Sequence, residues 1–263
     1  MRYLPIFIFT LLELVCISPA LAACDPDWAD AINIAGRQRM LTQRITRSYV
    51  QAGIGANTVA ANEQLAQSIS EFSRQLAELR RRDLLDEVQV ALQLVADDWA
   101  RFRTLAGGGL QREKVAQLVE QDRILLQRCE RVVSLLENIS GTHQGRLVNI
   151  SGRQRMLSQR LVKNYMLLSA GLCTPDVKAH LDNDRTEFRK SLNTLISERN
   201  YSPEISDSLD RVAEQWLWVE SALDSMAEDY YPIIVADAGE KLLVLLDSLT
   251  HKYASVEQGQ AKR

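Results

Sequence analysis

A twelve-residue stretch that occurs twice constrains this chain more than any other feature. Residues 33–44 read NIAGRQRMLTQR and residues 149–160 read NISGRQRMLSQR, so ten of the twelve positions are identical at an offset of 116. The two differences, at positions 35/151 and 42/158, exchange small side chains. This agreement indicates an internal duplication, and a duplicated chain is expected to fold as two similar units.

The placement of glycine and proline predicts helices throughout. Both residues fall at boundaries, and no sustained alternation of β-branched residues indicates a strand. The boundaries predict eight helices: the first four end near residues 52, 82, 105 and 140, and the last four begin near residues 142, 174, 202 and 230. Asp25-Pro26 is expected to open the first helix and Asp83 the third. The predicted fold class is all-α, with two tandem four-helix units at residues 24–140 and 141–263.

Matches outside the twelve-residue stretch extend the duplication over both halves. They pair Glu71-Phe72 with Glu187-Phe188 at an offset of 116, Val95 to Trp99 with Val212 to Trp216 at 117, and Glu130-Arg131 with Glu240-Lys241 at 110. The two tryptophans are expected to pack inside their bundles, because a period-matched tryptophan usually fills a bundle interior.

Residues 1–23 have the pattern of a bacterial export signal, with an apolar run followed by small residues. Two cleavage sites remain open. Ala20-Leu21-Ala22 suits ordinary signal peptidase, whereas Leu21-Ala22-Ala23-Cys24 resembles a lipobox, in which Cys24 would be acylated. Asp25 then resembles an inner-membrane retention signal. Both readings predict a periplasmic protein, and the second predicts one anchored to the inner membrane.

Several functional classes are disfavoured by composition. A net charge of -3 argues against a nucleic-acid surface. No second apolar run reaches 18 residues, so a sensing function would need a partner for its output. The scattered His143, His180 and His251 lack metal-ligand spacing, and no nucleophile–base pair or phosphate loop is evident. We therefore expect no metal, cofactor or enzyme activity. Cys129 and Cys173 are not expected to pair.

The charged residues of the repeated stretch surround the helix axis, so some arginines must point inward. An inward guanidinium needs a partner for its charge and its donors. Gly36, Arg39, Met40 and Gln43 share one face of the first helix, at i, i+3, i+4 and i+7, and Gly152, Arg155, Met156 and Gln159 share the same face of the fifth.

The pattern N-x-[AS]-G-x-x-R-M-x-[ST]-x-R resembles the P box of the periplasmic domain of nitrate/nitrite sensor kinases (NarX type). It is still more similar to the N-terminal ligand domain of type IV pilus methyl-accepting chemotaxis transducers (PilJ type). The motif covers twelve residues in each half, and the four-helix frame fits nearly all of the exported chain. In that family two such helices, one from each subunit of a dimer, hold a nitrate-like anion between their arginines. The resemblance therefore implies an intramolecular pseudo-dimer that meets through helices one and five.

Carried over residue by residue, the resemblance implies that Arg39 and Arg155 bind a small oxyanion, with nitrate or nitrite favoured. It implies that Gly36 and Gly152 allow the two helices to approach closely. It also implies signalling through a membrane receptor or sensor kinase. Secondary ligand roles are predicted for Gln43, Gln159, Asn33 and Asn149. The residues between glycine and arginine, Arg37-Gln38 and Arg153-Gln154, match the pilus-transducer version of the motif and depart from the nitrate kinases.

A physical argument supports the same site. Two guanidiniums about 5 Å apart would repel by roughly 3 kcal/mol at an effective dielectric near 20. A planar oxyanion between them reverses the sign, because it accepts forked hydrogen bonds from both. The alternative is that carboxylates on neighbouring helices neutralise the arginines, in which case the protein is a scaffold or interaction protein. We expect such ion pairs for the residues off the glycine face, namely Arg37/Arg153, Arg44/Arg160 and Arg47/Lys163.

Overall fold

A computed structural model describes residues 27–108, 111–172, 175–198, 202–224 and 231–256. These residues form eight α-helices and one short 3-10 turn at 112–114, and no strand occurs among them. The helices are α1 Trp28–Gly53, α2 Thr58–Arg81, α3 Asp86–Gly107, α4 Val115–Ser140, α5 His143–Ser169, α6 Pro175–Ser197, α7 Pro203–Asp224 and α8 Pro232–Ser255. The predicted export signal, Cys24 and the Asp25-Pro26 boundary lie outside the described residues.

The structure describes the starts of α1 and α3, and the start of α3 differs from the predicted one. The Asp27 carboxylate caps α1 by accepting from the Asp30 N–H at 3.0 Å, so within the described residues the helix begins at Trp28. Helix α3 begins at Asp86, because Leu84 is buried in the core and the residues before it leave helical geometry. Asp83 is therefore not its cap.

Helices α1 and α5 form the centre of the molecule. Helix α1 packs against α2 and α4, helix α5 packs against α6 and α8, and the two central helices pack against each other. Their contacts advance in the same direction: the side chain of Ile32 lies against Gly145, and Lys163 Nζ donates to Gln43 Oε1 at 2.6 Å. The two helices are therefore parallel. The predicted pair of four-helix units is confirmed, and we call α1–α4 unit 1 and α5–α8 unit 2.

The interiors of the two units repeat the same aromatic packing. The rings of Phe72 and Trp99 stack with centroids 4.1 Å apart, and those of Phe188 and Trp216 with centroids 4.0 Å apart. Both tryptophans are buried. Their predicted place in the bundle cores is confirmed.

The correspondence between α4 and α8 is not the predicted one. An offset of 117, rather than 110, pairs the residues that contact the repeated arginines, because Glu130 accepts from Arg39 and Asp247 accepts from Arg155. This offset also pairs Leu118, Leu125, Cys129, Val132 and Leu136 with Val235, Leu242, Leu246, Leu249 and Tyr253. The two offsets differ by seven residues, which is close to two helical turns and preserves the same apolar face. Periodicity therefore cannot choose between them, whereas packing against α1 and α5 can.

Other expectations concern single residues. His143, His180 and His251 are all exposed, and the described residues contain no cluster of three or more candidate metal ligands. Cys129 is buried on α4, which raises the pKa of its thiol, and Cys173 lies outside the described residues. None of the described helices combines the length and the apolar character needed to span a membrane.

Candidate functional site

The backbones of the central helices approach closely where the two repeated glycines meet. A Cβ atom placed on Gly36 would lie 3.9 Å from the Cα atom of Gly152, and one on Gly152 would lie 3.9 Å from the Cα atom of Gly36. A glycine inside a helix costs roughly 1 kcal/mol relative to alanine. Close approach of two backbones accounts for that cost at both positions. We call this contact the glycine crossing.

Arg39 and Arg155 both reach the glycine crossing. The Nη2 atoms of Arg39 and Arg155 would lie 3.3 and 3.5 Å from a Cβ on Gly36, and 3.4 and 3.3 Å from one on Gly152. Both arginines are fully buried. One arginine from each unit therefore contributes to a single centre, as the family resemblance implies.

Each buried arginine has a carboxylate partner in its own unit. Arg39 Nη1 donates to Glu130 Oε2 on α4 at 2.8 Å, and Arg155 Nη1 donates to Asp247 Oδ1 on α8 at 2.8 Å. These two acids correspond under the offset of 117 and were not identified from the sequence. They offset the repulsion expected between two guanidiniums. The only indication of them in the sequence is that each lies on the last helix of its unit, at an equivalent position.

The arginines also cross to the opposite unit. Arg39 Nη2 donates to Asn149 Oδ1 at 2.8 Å, and Arg155 Nη2 donates to the main-chain carbonyl of Asn33 at 3.1 Å. The two asparagines of the motif therefore contact the arginines, although Asn33 does so through its backbone. Its side-chain Oδ1 is buried and has no hydrogen-bond partner in the described part of the chain.

Two donors at the crossing remain unused. The Nε atoms of Arg39 and Arg155 are buried, and neither has an acceptor among the residues that the structure describes. A buried unsatisfied donor costs about 1 to 3 kcal/mol, and more when it is charged. Burial lowers the pKa of Arg155 to about 10, although Asp247 opposes this effect, while Arg37 and Arg39 add to it. Arg155 thus remains cationic at neutral pH.

The charged residues of α1 and α5 expected to pair off the glycine face do form ion pairs. The pairs are Arg37–Asp247 at 2.7 Å, Arg153–Glu187 at 2.5 Å, Arg44–Glu240 at 2.6 Å, Arg160–Asp184 at 2.5 Å, Arg47–Glu240 at 2.7 Å and Lys163–Asp122 at 2.6 Å. Several of these pairs join α1 to α8 or α5 to α4. They therefore contribute to the contact between the units.

The two glutamines proposed as secondary ligands are not held at the arginines. Gln43 Nε2 donates to Asp122 Oδ1 at 2.8 Å, and its Oε1 atom accepts from Lys163. Gln159 Nε2 donates to the carbonyl of Gly239 at 3.4 Å. In this structure both amides therefore serve contacts with α4 or α8.

A groove of about 750 Å³ lies beside the crossing, between α1, α2 and α8. Its lining includes Arg37, Arg44, Glu71, Glu240 and Asp247. Asp247 is the residue that pairs with Arg155, and its side chain is 32 % exposed. The groove therefore connects solvent with a direct partner of the buried centre.

The fold and this centre define the class of protein: a tandem helical-bundle module whose two units share one buried pair of arginines. The chain belongs to the PilJ family, described as the N-terminal domain of type IV pili methyl-accepting chemotaxis transducers, whose model matches it twice, at residues 27–125 and 140–236. This family is sensory and not catalytic, and its domains are typically periplasmic. The chain is thus a sensor module of the chemotaxis-transducer type. Comparison with curated proteins and with solved structures found no match.

Proposed function

We propose that this protein is an exported, non-enzymatic sensory module that binds one small oxyanion between Arg39 and Arg155. The ligand state then passes to a membrane receptor or sensor kinase. One observation carries the proposal: the arginines of the two repeats are buried at the same glycine crossing, and each retains an Nε donor without an acceptor among the described residues. An anion between the two arginines supplies the missing acceptor for both Nε donors.

The geometry of the crossing favours a small, planar ligand. A single Cβ atom on either glycine would already lie within 3.5 Å of both guanidiniums, so little space separates the helices. The Nε and Nη2 atoms lie on one edge of a guanidinium and can donate side by side to a planar anion. Nitrate and nitrite, which have few atoms and oxygens in one plane, fit these constraints best.

Titration calorimetry with nitrate and nitrite tests the shared site. Wild type should bind one anion per chain. Arg39→Ala and Arg155→Ala should each weaken binding by roughly 2 to 5 kcal/mol, about thirtyfold to several thousandfold, because the anion loses one of two charged forks. Arg39→Lys should also bind poorly, since an ammonium lacks the fork.

Arg160→Ala is the matched control. Arg160 belongs to the same motif but pairs with Asp184 away from the glycine crossing, so its loss should leave anion affinity unchanged. Two anions per wild-type chain, or full affinity in either Arg39→Ala or Arg155→Ala, would contradict a shared site.

A second candidate is a periplasmic scaffold in which the arginine helices only hold the two units together. It is favoured by the ion pairs Arg39–Glu130 and Arg155–Asp247, which balance both buried charges without a ligand. This candidate predicts no heat with nitrate, nitrite, sulfate, phosphate or small carboxylates. It also predicts that the melting temperature responds to these anions as it does to chloride at equal ionic strength.

Export and attachment through Cys24 belong to the same proposal, supported by the usual periplasmic place of this family. In a cell-fractionation experiment, Cys24→Ser should move the protein from the membrane to the soluble periplasmic fraction. A soluble wild type that begins at Ala23 would instead establish ordinary signal-peptidase cleavage.

A further inference from the structure

Glu130 and Asp247 differ in one respect from the arginines that they neutralise. Their side chains are 28 % and 32 % exposed, whereas those of Arg39 and Arg155 are 1 % and 0 % exposed. Each ion pair therefore joins a group that water reaches to a group that it does not. If such a pair opens, the carboxylate regains hydration while the guanidinium is left buried without its counter-charge.

Each carboxylate also has a second arginine, which comes from the other unit and lies nearer the surface. Asp247 Oδ2 accepts from Arg37 Nη2 at 2.7 Å, and Glu130 Oε1 lies 3.5 Å from Arg153 Nη1. A carboxylate that leaves the buried arginine can keep this outer partner. The carboxylate therefore loses little free energy when it leaves the buried arginine, provided that another anion takes its place at the buried guanidinium.

The space beside Asp247 makes such an exchange sterically feasible. The groove of about 750 Å³ is lined by Asp247 together with Arg37 and Arg44. Glu71 and Glu240 line the groove as well, so its charges are mixed, and a small anion that enters it reaches Asp247, the carboxylate that pairs with Arg155. The same groove can receive the displaced side chain.

We infer that Glu130 and Asp247 are built-in counter-anions that occupy the two buried arginines until a ligand displaces them. They set the affinity of the site, because a ligand must compete with two tethered carboxylates as well as bind. This inference rests on the proposed function of Arg39 and Arg155. It assigns the two acids the role of residues that tune affinity, beyond a role in stability.

Calorimetric titration of the full exported chain with sodium nitrate tests this role in Glu130→Gln, Asp247→Asn and the double variant. A neutral amide keeps the size of the carboxylate but competes less for a guanidinium. Each single change should therefore tighten nitrate binding by about tenfold to a hundredfold, and the double change should tighten it further. The two single variants report on separate units, so either one suffices if the other fails to fold.

Glu240→Gln provides the matched control. Glu240 lies seven residues before Asp247 on the same helix, is 22 % exposed and pairs with Arg44 and Arg47 instead of the buried pair. Its loss removes an ion pair between the units without freeing Arg39 or Arg155. Nitrate affinity should remain at the wild-type value.

The outcomes separate this inference from the proposed function. If wild type binds nitrate and neither Glu130→Gln nor Asp247→Asn binds it more tightly, the inference is overturned while the proposed function stands. An equal gain in Glu240→Gln would also overturn it, since general loss of negative charge would then explain the effect. Binding by the double variant alone would support it, and absence of binding in every protein would overturn both.

Discussion

The two units are alike at the glycine crossing and differ farther along the same helices. At the crossing each contributes a glycine, an arginine and a carboxylate at equivalent positions. About two turns away, α4 carries Asp122, and the equivalent position of α8 is Gly239. The duplicated chain has therefore kept its symmetry where the two arginines meet and lost it where the units are held together.

The two equivalent positions, Asp122 and Gly239, make different contacts with the central helices. Asp122 is fully buried and accepts from Lys163 Nζ at 2.6 Å and from Gln43 Nε2 at 2.8 Å. At Gly239 a Cβ atom would overlap Val162 Cγ2, so no side chain fits without a shift. The difference indicates that the shared arginine centre constrains both halves together, whereas a contact between units needs to fit only once.

The largest effect is expected from Asp122→Ala. This change leaves Lys163 buried without its carboxylate, which should cost about 3 to 5 kcal/mol of unfolding free energy. Glu240→Ala should cost less, because Glu240 is partly exposed and Arg47 keeps a hydrogen bond to Gln64. Urea unfolding of both variants measures the contrast. An equal or larger loss for Glu240→Ala would contradict the prediction that Asp122 contributes more to stability than Glu240.

An intermediate effect is expected from Gly239→Ala. The added methyl overlaps the branched side chain of Val162, so α8 must shift away from α5 at a cost of about 1 to 3 kcal/mol. Gly107→Ala is the control, since no described atom lies within 4 Å of a Cβ there, and it should be neutral or stabilising by up to about 1 kcal/mol. Thermal melting compares the two. Equal melting temperatures would mean that α8 can shift away from α5 without loss of stability.

The smallest expected effect is the dependence of stability on pH that arises from Glu240. Burial alone would raise the pKa of Glu240, but Arg47 and Arg44 outweigh it and hold the pKa below the ordinary value of 4.5. Because the folded-state pKa is lowered, the stability from the charged carboxylate is present above about pH 4.5 and disappears as the pH falls through the lowered value. Glu240→Gln should therefore be less stable than wild type by about 1 kcal/mol at pH 7, and the two should converge as the pH falls through the lowered pKa of Glu240.

Melting curves of the two proteins between pH 7 and pH 3 measure this convergence. A stability difference that persists unchanged into acid would assign it to lost packing instead of lost charge.

The sequence alone predicted the features that follow from the repeat. Identical motifs at positions 33–44 and 149–160 require similar environments, and charges all round a helix require an inward arginine. The facing glycines and the outer ion pairs agree with these expectations, and the pairing of α1 with α5 agrees with what the family resemblance implied. The first two depend on which face of a helix a residue occupies, and spacing determines that face.

The partners of the buried arginines could not be predicted in the same way. Spacing identifies the face of a helix on which a residue lies, but it does not determine the axial position of the neighbouring helix. A shift of seven residues along α8 leaves its apolar pattern almost unchanged. Glu240 and Asp247 are seven residues apart and were therefore equally plausible counterparts of Glu130. For a related reason, spacing did not reveal that the amide of Gln43 donates to the buried Asp122 on α4.

The link between the units, residues 141–142 between α4 and α5, has a consequence for mass action. When two separate chains build a centre between them, its population falls on dilution, because each half must first find its partner. A two-residue connection keeps both halves at a high effective concentration, so the population of the arginine centre is independent of how much protein is present. The connection within one chain also allows a substitution in one half without the same substitution in the other. In a homodimer every change appears twice, whereas here Asp122 and Gly239 occupy equivalent positions of one assembly.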